Sequence, residues 1–353
     1  MDTVRIEAGV LRGTIGQLLD KYACEQEVSK CIIDMLVESE LSGVKTHGIR
    51  LLPIYLKRIR DGSINKSPKI CFSKKFPAIG CLDGDDGPGA FVGTKACEHA
   101  INLATEFGIG AVSVRNSSHF GPAGYYCRLG STKGFITIVT TNGSPTVAPT
   151  GSKQPFFSAT PIAIGTPTSE EDSIILDIAL SVSSRARIRS FAQQGRAIPL
   201  SWALDAKGNQ TDDALSALNG SLLPIGGYKG YGLLLMMEIL IAILGGASIG
   251  PDVSDLYEDV SKPQKLGHMV IAIRIDACVE QSFYFETLNR LITTIKNCNP
   301  INEGEVIRVP GENANQLRKE QLEKGIELTK EAIDGINNEL RNVGLYQLQI
   351  GLK

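Results

Sequence analysis

A short apolar run that ends abruptly in a polar, glycine-containing loop constrains the fold more than any other stretch. The residues from Val112 to Tyr126 read VSVRNSSHFGPAGYY. The apolar residues around Val112 predict a buried strand, and the asparagine and serines after it are typical of turns and helix N-caps. His119 then stands at the exit of the strand, a position typical of a functional site. The alternative is a histidine bonded to backbone in an ordinary loop. The chain has only four histidines, and this scarcity favours the site.

Apolar residues recur at helical spacing before this strand. The predicted helices are residues 11–23 and 27–41. Gly43 is typical of a helix end, and Thr46 is suited to cap a third helix that runs toward Arg60. We therefore expect an N-terminal helical module over residues 1–75, with His47 at the start of its third helix.

The pattern changes to short apolar segments separated by turns after this module. The predicted strands are 76–84, 110–114, 134–140, 161–166, 173–177 and 268–275, and the predicted helices among them are 90–107, 185–195 and 233–244. Such alternation indicates a mixed α/β sheet, which we assign to a domain over residues 76–280. Residues 281–353 are predicted to be a C-terminal helical segment, with helices over 281–296 and 314–343, packed with the N-terminal module.

Composition excludes several classes of protein. A net charge of −2 provides no basic surface for nucleic acid. The N-terminus lacks a basic-then-apolar leader pattern, and the most apolar stretch, 232–247, is interrupted by Glu238 and is shorter than the roughly 20 residues of a membrane span. Eight cysteines without a CxxC pair predict reduced thiols and neither a disulfide framework nor a metal site. We expect a cytoplasmic protein with no metal, membrane or nucleic-acid partner.

The pair Thr46-His47 is the first candidate for chemistry. A hydroxyl beside a histidine can orient the ring, and an imidazole near its ordinary pKa is suited to acid–base catalysis. The alternative is that Thr46 caps a helix and His47 sits in its first turn. Arg50 and Arg58 follow, and a guanidinium is suited to hold a carboxylate, although most arginines are simply solvated.

Three further segments are candidates for ligand contacts. The sequence GGYKGYG, which contains Lys229, precedes an apolar helix, so that backbone N–H groups and the lysine can face an anion; the alternative is a tight turn. Asp177 ends a strand and can accept hydrogen bonds from ribose hydroxyls, or can cap a turn. Asn142-Gly143 forms a polar turn after a strand. Neither a P-loop nor a G-x-G-x-x-G fingerprint is present.

In this order, these pieces resemble the malate/L-lactate dehydrogenase family of the sulfolactate-dehydrogenase-like type, which is unrelated to the Rossmann lactate and malate dehydrogenases. The matching segments are GVKTHGIRLLPIYLKRI (43–59), VRNSSHFGPAGYY (114–126), TNGSPTVAPTGSK (141–153), TPIAIGTP (160–167), LDIALS (176–181), the segment around Trp202, LPIGGYKGYGLLLMMEIL (223–240) and PGE (310–312). The resemblance implies a three-layer α/β/α mixed sheet, NAD or NADP as cofactor, a small 2-hydroxy or 2-keto acid as substrate, and a homodimer. The cofactor and the substrate are then assigned to domain 76–280.

The resemblance also implies roles for particular residues. His47 is the acid/base, Thr46 stands where the family usually has a serine that orients that histidine, and His119 borders both substrate and nicotinamide. Arg50 and Thr160 are the candidate substrate contacts. The residues expected to line the dinucleotide are His119, Phe120, Gly121, Asn142, Gly143, Asp177, Ile178, Ala179, Lys229, Gly230, Pro310, Gly311 and Glu312.

The sequence departs from the family at the substrate. The family's carboxylate-binding arginine lies four residues after the histidine, where this chain has Leu51; Arg50 is one residue earlier, which turns a helical side chain by about 100°. Malate- or lactate-type dehydrogenation is the leading hypothesis. A reductase of a cyclic imino acid or another carboxylate is the first alternative, and a catalytically inactive binding or scaffold homologue is the second.

Overall fold

The computed structural model describes residues 3–170 and 172–348. The helices are α1 (Ala8–Lys21), α2 (Gln26–Leu41), α3 (Leu52–Arg60), α4 (Gly89–Phe107), α5 (Ala123–Ser131), α6 (Arg185–Gln193), α7 (Ala214–Leu218), α8 (Tyr228–Glu238), α9 (Gln281–Lys296), α10 (Glu312–Lys324) and α11 (Lys330–Asn342). The strands are β1 (Thr3–Ile6), β2 (Cys71–Phe76), β3 (Ile79–Gly87), β4 (Ile109–Ser117), β5 (Phe135–Thr141), β6 (Pro161–Pro167), β7 (Ser173–Ala179), β8 (Ala203–Leu204), β9 (Ser221–Leu222), β10 (Leu266–Arg274) and β11 (Ile326–Thr329).

A seven-stranded mixed sheet in the order β2-β3-β4-β10-β5-β6-β7 forms the centre of the fold. In it β3 and β4 are parallel, whereas the other neighbouring strands are antiparallel. A Rossmann sheet is built from parallel βαβ units, so this topology confirms the predicted mixed, non-Rossmann α/β fold.

The register of the sheet places small and β-branched residues in one buried row. Val112 lies opposite Val270, Val270 opposite Val139, and Val139 opposite Ala163. All four side chains are fully buried. The row continues to Asp177 on the edge strand β7, which places a carboxylate beside the apolar core.

Helices cover both faces of the sheet. Helices α4 and α5 pack on the face of Val112, where a Cβ at Gly110 would lie 2.1 Å from the carbonyl oxygen of Ala100. The π-turn Ile239–Ile243 after α8 lies on the opposite face, since Gly245 approaches Ser113 and adjacent strand residues point to opposite faces. Helix α2 packs outside α4, and one hydrophobic core joins the N-terminal helices to the sheet.

Three predicted helices differ in the structure. The helix predicted over 233–244 begins earlier, at Tyr228, and changes to the π-turn after Glu238. The helix predicted after Thr46 begins at Leu52 without a side-chain cap, and the segment before it forms 3₁₀ turns over Lys45–His47 and Ile49–Leu51; the prediction that Thr46 caps a helix is wrong. The helix predicted over 314–343 is interrupted by β11, which pairs with β1.

Helices α10 and α11 pack against the N-terminal helices α2 and α3, respectively. The division into 1–75, 76–280 and 281–353 stays a prediction. No helix in the described ranges is long and apolar enough to cross a membrane.

Candidate active site

One end of the sheet collects most of the predicted site residues. Strands β4, β5 and β7 run in the same direction and end here, and the antiparallel strand β6 begins here. The loops at these ends carry the predicted ligand-binding segments 119–121, 142–143 and 160. The predicted segment 177–179 forms the last residues of β7 at the same edge. The topology therefore explains why residues far apart in the sequence meet at one edge.

His47 and His119 lie face to face at this edge. Their ring centroids are 5.3 Å apart and their planes differ by 9°. Burial, together with the charge of Arg50, lowers the pKa of His47 to about 4. Burial, followed by the charges of the neighbouring histidines and Arg58, lowers the pKa of His119 to about 3. Both rings are therefore neutral at pH 7.

Tyr55 and Gln264 hold His119, and the sequence analysis assigned neither to the site. The hydroxyl of Tyr55, from α3, lies 2.6 Å from Nδ1 of His119, and the backbone N–H of His119 donates to Oε1 of Gln264 at 3.0 Å. Burial raises the pKa of Tyr55, so the phenol keeps its proton. Tyr55 belongs to the apolar stripe of α3, and therefore carried no sequence signal beyond core packing.

His47 has an unsatisfied buried atom. Its Nδ1 is shielded from solvent and has no hydrogen-bond partner among the described residues. Thr46 is exposed, and no hydrogen bond joins its hydroxyl to His47 within the described chain, so its orienting role stays a prediction. Buried polar atoms are almost always paired. A free imidazole nitrogen at this edge is therefore suited to a ligand.

The two arginines near His47 have different environments. Arg50 is exposed and is close enough to lower the pKa of His47. Arg58, the other arginine that the sequence suggested for a carboxylate, is fully buried and donates to the backbone carbonyls of Asp255, Leu256, Asp259 and Lys262. Arg58 is thus a structural residue, and Arg50 remains available.

A groove of about 420 Å³ brings Asp177 together with Pro310 and Gly311. Oδ2 of Asp177 accepts a hydrogen bond of 2.8 Å from the N–H of Gly124, in the first turn of α5. The carbonyl of Pro310 accepts one of 3.2 Å from the N–H of Ile175. Gly311 fits only because it lacks a side chain, since a Cβ there would lie 2.9 Å from the backbone nitrogen of Ile175. Glu312 begins α10 and bonds to Lys296 at 2.7 Å.

Three of the predicted contact residues have side chains that are committed to the protein itself. Phe120 is buried and its ring stacks on those of Tyr126 and His268. The amide of Asn142 donates to the carbonyl of Ser248 at 2.8 Å and accepts from the N–H of Gly267 at 3.0 Å. The hydroxyl of Thr160 is buried and lies 2.8 Å from that of Ser158. These residues shape the edge of the sheet with their side chains.

Several other predicted contacts offer backbone or open surface. Gly121 adopts a φ of +80° and packs so closely on Met35 that a Cβ would lie 2.4 Å from its sulfur. Gly143 is partly exposed beside Ser158, and Ile178 and Ala179 lie at the open end of β7. Gly143, Ile178 and Ala179 let a planar ligand approach the main chain, whereas Gly121 is buried against Met35.

Lys229 and Gly230 lie elsewhere, at the start of α8. Lys229 is exposed, and a Cβ at Gly230 would lie 1.9 Å from the carbonyl oxygen of Ile225. The preceding glycines, Gly226 and Gly227, line a second cavity of about 680 Å³ together with other residues, including Lys153 and Lys207. The structure does not bring Lys229 into the groove of Asp177. Its surroundings are suited to an anionic part of a ligand.

The donor set fits a dinucleotide better than a metal ion. Glycine backbone, a helix N-terminus and a neutral imidazole with a free nitrogen are suited to a nicotinamide and its phosphates. No group of three or more His, Cys, Asp or Glu side chains in residues 3–170 and 172–348 is arranged to hold a metal.

Comparisons with known proteins identify the family and the fold. Residues 6–337 match the family model described as malate/L-lactate dehydrogenase. A malate dehydrogenase from Pyrococcus abyssi is 35% identical over 98% of this chain and 97% of its own. The solved structure of sulfolactate dehydrogenase from Methanocaldococcus jannaschii superposes with a TM-score of 0.90 at 34% identity, over 97% of this chain and 98% of its own. Malate dehydrogenase from Entamoeba histolytica superposes with a TM-score of 0.92 at 28% identity, over 98% and 99%. The chain therefore belongs to the malate/L-lactate dehydrogenase family, whose members are oxidoreductases that act on hydroxy acids.

Proposed function

We propose that this protein is an NAD(P)-dependent dehydrogenase that transfers a hydride between nicotinamide and C2 of a small 2-hydroxy or 2-keto acid of the malate or lactate type. His47 is the acid/base in this proposal. The observation that carries it is the neutral His47 ring, with a free buried nitrogen, stacked on His119. A bound nicotinamide supplies the hydride chemistry.

The protein's own residues supply the proton and the geometry. In the oxidation direction, neutral His47 accepts the hydroxyl proton of the substrate; in reduction, protonated His47 returns it. A substrate carboxylate nearby raises the pKa of His47 from its value of about 4 toward the working range, since an opposite charge favours the protonated ring. Tyr55 keeps the second ring, that of His119, in place through its hydrogen bond to Nδ1.

The substrate and cofactor contacts follow from what remains free. Exposed Arg50 is the candidate partner for the substrate carboxylate. Backbone at Gly143, Asp177 and Gly311 is the candidate cradle for the dinucleotide. Relatives named for NAD⁺ and for NADP⁺ are both found, so we propose that the chain takes one of these two nucleotides. The free cysteines of the described residues support a reducing compartment, and we propose the cytoplasm.

Replacement of His47 tests the proposal. We expect His47→Asn to lower kcat by about 10²–10⁴-fold, the usual contribution of a positioned acid/base, while NADH or NADPH still binds, as measured by fluorescence of the reduced nucleotide. His99→Asn is the matched control, because His99 stacks on Phe72 with 3.9 Å between the ring centroids, outside the candidate site. Full turnover in a folded His47→Asn protein that binds nucleotide would reject the role of His47.

A cyclic imino acid reductase is the second candidate. It is favoured by Leu51, which stands where the family has its carboxylate-binding arginine and is buried. The substrate carboxylate must then be bound by a different residue from the one that binds it in other dehydrogenases of the family. Assays with oxaloacetate, pyruvate and a cyclic imino carboxylate separate the two candidates. A preference of more than about tenfold in kcat/KM, or roughly 1.4 kcal/mol in transition-state binding, decides between them.

The apolar surface of α8 and its π-turn supports a homodimer. Met236, Ile243 and Leu244 are 52%, 64% and 64% exposed, although buried positions are usual for such side chains. We expect light scattering to give twice the chain mass of 37.9 kDa. Ile243→Asp should shift the protein to monomer, and Phe283→Asp, an exposed position on α9, should not. A wild-type monomer at micromolar concentration would contradict the dimer.

A further inference from the structure

Glu40 is a buried carboxyl group that the proposed chemistry does not use. It lies in the last turn of α2 and is only 3% exposed. The chain reverses after it at Gly43, which has a φ of +74°. The 3₁₀ turn that carries His47 then passes over the carboxyl group. Glutamate is rarely buried this deeply without a purpose, because an ionised carboxylate loses its hydration.

The carboxyl group of Glu40 contacts the backbone directly after His47. Its Oε1 accepts a hydrogen bond of 2.8 Å from the N–H of Ile49. A Cβ at Gly48 would lie 2.0 Å from Oε1 and 2.5 Å from Cδ of Glu40. Gly48 has a φ of −89°, which other residues also adopt, so space for the carboxyl group explains this glycine.

The other side of Glu40 is fixed as well. Its carbonyl oxygen accepts a hydrogen bond of 2.8 Å from Nε2 of Gln321, in α10. The same amide of Gln321 bonds to the carbonyl of Leu41 at 2.9 Å. The backbone of Glu40 is therefore held by α10, and its side chain in turn holds the backbone that follows His47.

The charges around Glu40 favour its ionised form, whereas burial opposes it. Lys45 and Arg50 provide the nearby positive charges, and burial is the larger effect, which raises the pKa of Glu40 to about 7. Two other acidic groups on the packed elements are paired. On α2, Glu38 pairs with Arg128 and Arg318; on β11, Glu327 pairs with Lys45.

We propose that Glu40 is a positioning residue for His47, and that its ionisation controls how firmly the His47 turn is held. The inference rests on the proposed role of His47. The ionised carboxylate is the stronger acceptor for the N–H of Ile49. Protonation weakens that bond and loosens the turn, so kcat falls as the pH drops through about 7. In the free protein the pKa of His47 lies well below this value, at about 4.

Substitutions of Glu40 separate the bond from the titration. In Glu40→Gln the amide oxygen still accepts from Ile49, so we expect substantial kcat with no inflection near pH 7. Glu40→Ala removes the acceptor, and we expect kcat to fall by about 10–10²-fold at every pH, because small misplacements of a catalytic group have effects of this size. Nucleotide KM should change little. Gly48→Ala, which displaces the carboxyl group, should resemble Glu40→Ala.

Glu238→Gln is the matched control. Glu238 is also 3% exposed, and its Oε1 accepts a hydrogen bond of 2.9 Å from the N–H of Gly250. This variant should keep the inflection near pH 7, whatever its absolute rate. An inflection that persists unchanged in Glu40→Gln, or a wild-type kcat in Glu40→Ala, would overturn the proposal.

A readout without turnover keeps the two proposals apart. The imidazole resonances of His47, followed by NMR from pH 5 to 9, should shift near pH 7 in the wild type and not in Glu40→Gln. If His47→Asn keeps full activity, the proposed function fails while this coupling can still be observed. If His47 is required for activity but its resonances shift in the same way in the wild type and in Glu40→Gln, the positioning role alone fails.

Discussion

Arg58 holds a loop of the candidate site in place through a single side chain. Its guanidinium is fully buried and donates to four backbone carbonyls between residues 255 and 262 and to the hydroxyl of Ser63. Carbonyl oxygens therefore accept its hydrogen bonds, and the charges of Asp255 and Asp259 also favour the protonated guanidinium. The loop leads to Gln264, which accepts from the backbone of His119. Arg58 thus connects α3 to one of the two histidines.

Removal of this guanidinium tests its structural role. We expect Arg58→Ala to lower the free energy of unfolding by more than about 3 kcal/mol, because several buried carbonyls lose their donor at roughly 1–3 kcal/mol each. Arg58→Lys should recover only part of this loss, since an ammonium has three donors instead of five. Urea unfolding measures both. Arg60→Ala, at an exposed position of the same helix, is the control, and an equal loss there would refute the explanation.

At the scale of elements, the short strands β1 and β11 tie the two ends of the described chain together. They pair antiparallel, with Ile6 opposite Ile326, and both side chains are buried. Gly325 makes the turn from α10 into β11 with a φ of +88° and a ψ of 155°. Other residues almost never adopt this conformation. Gly325 therefore ends the helix that the apolar spacing alone would have continued.

Gly325→Ala should lower the free energy of unfolding by about 1–3 kcal/mol, the strain of a side chain in this region. Gly13→Ala provides the opposite control. Gly13 lies inside α1 with open space around it, and alanine there should stabilise the protein by roughly 0.5–1 kcal/mol. Denaturant titration distinguishes the two signs, and a stabilised Gly325→Ala protein would contradict the assigned role.

At the scale of the whole molecule, the histidines determine how stability depends on pH. Burial lowers the pKa of all four, to about 4 for His47 and about 3 for His119 and His268, with a lowered value also for His99. Below pH 6.5 these histidines bind protons in the unfolded chain but stay neutral in the folded protein, so the free energy of unfolding rises with pH in that range. Glu40 acts oppositely between its ordinary pKa and about 7, because there the folded protein holds the extra proton.

Burial also raises the pKa of Glu238 and Asp177. The three deeply shifted histidines outweigh these carboxyl groups and Glu40, so acidification from pH 6.5 to 5 should destabilise the protein. Each of the three deeply shifted histidines contributes up to about 1.4 kcal/mol per pH unit. Melting temperatures measured across pH 5–8 check the trend, and His268→Asn should make it shallower. A stability that stays constant below pH 6.5 would show that these rings are protonated in the folded protein.

Much of this molecule could be predicted from the sequence because its signals are local. The strand before His119 and the long helix α4 follow from short-range spacing, and the mixed sheet is confirmed. Tyr55, Gln264 and Glu40 could not be assigned to the site, since their roles depend on contacts between residues distant in the chain. Arg58 was misread for the same reason. The sequence around an arginine does not show which distant backbone carbonyls its guanidinium will bind.

The pairing of β1 with β11 has a consequence for how the protein is made. The first strand leaves the ribosome long before its partner exists, so it stays unpaired until residues 326–329 have been synthesised. The layer that presents His47 is complete only when residue 329 has emerged. A nascent chain can therefore form its central sheet before the turn that carries His47 has its full support.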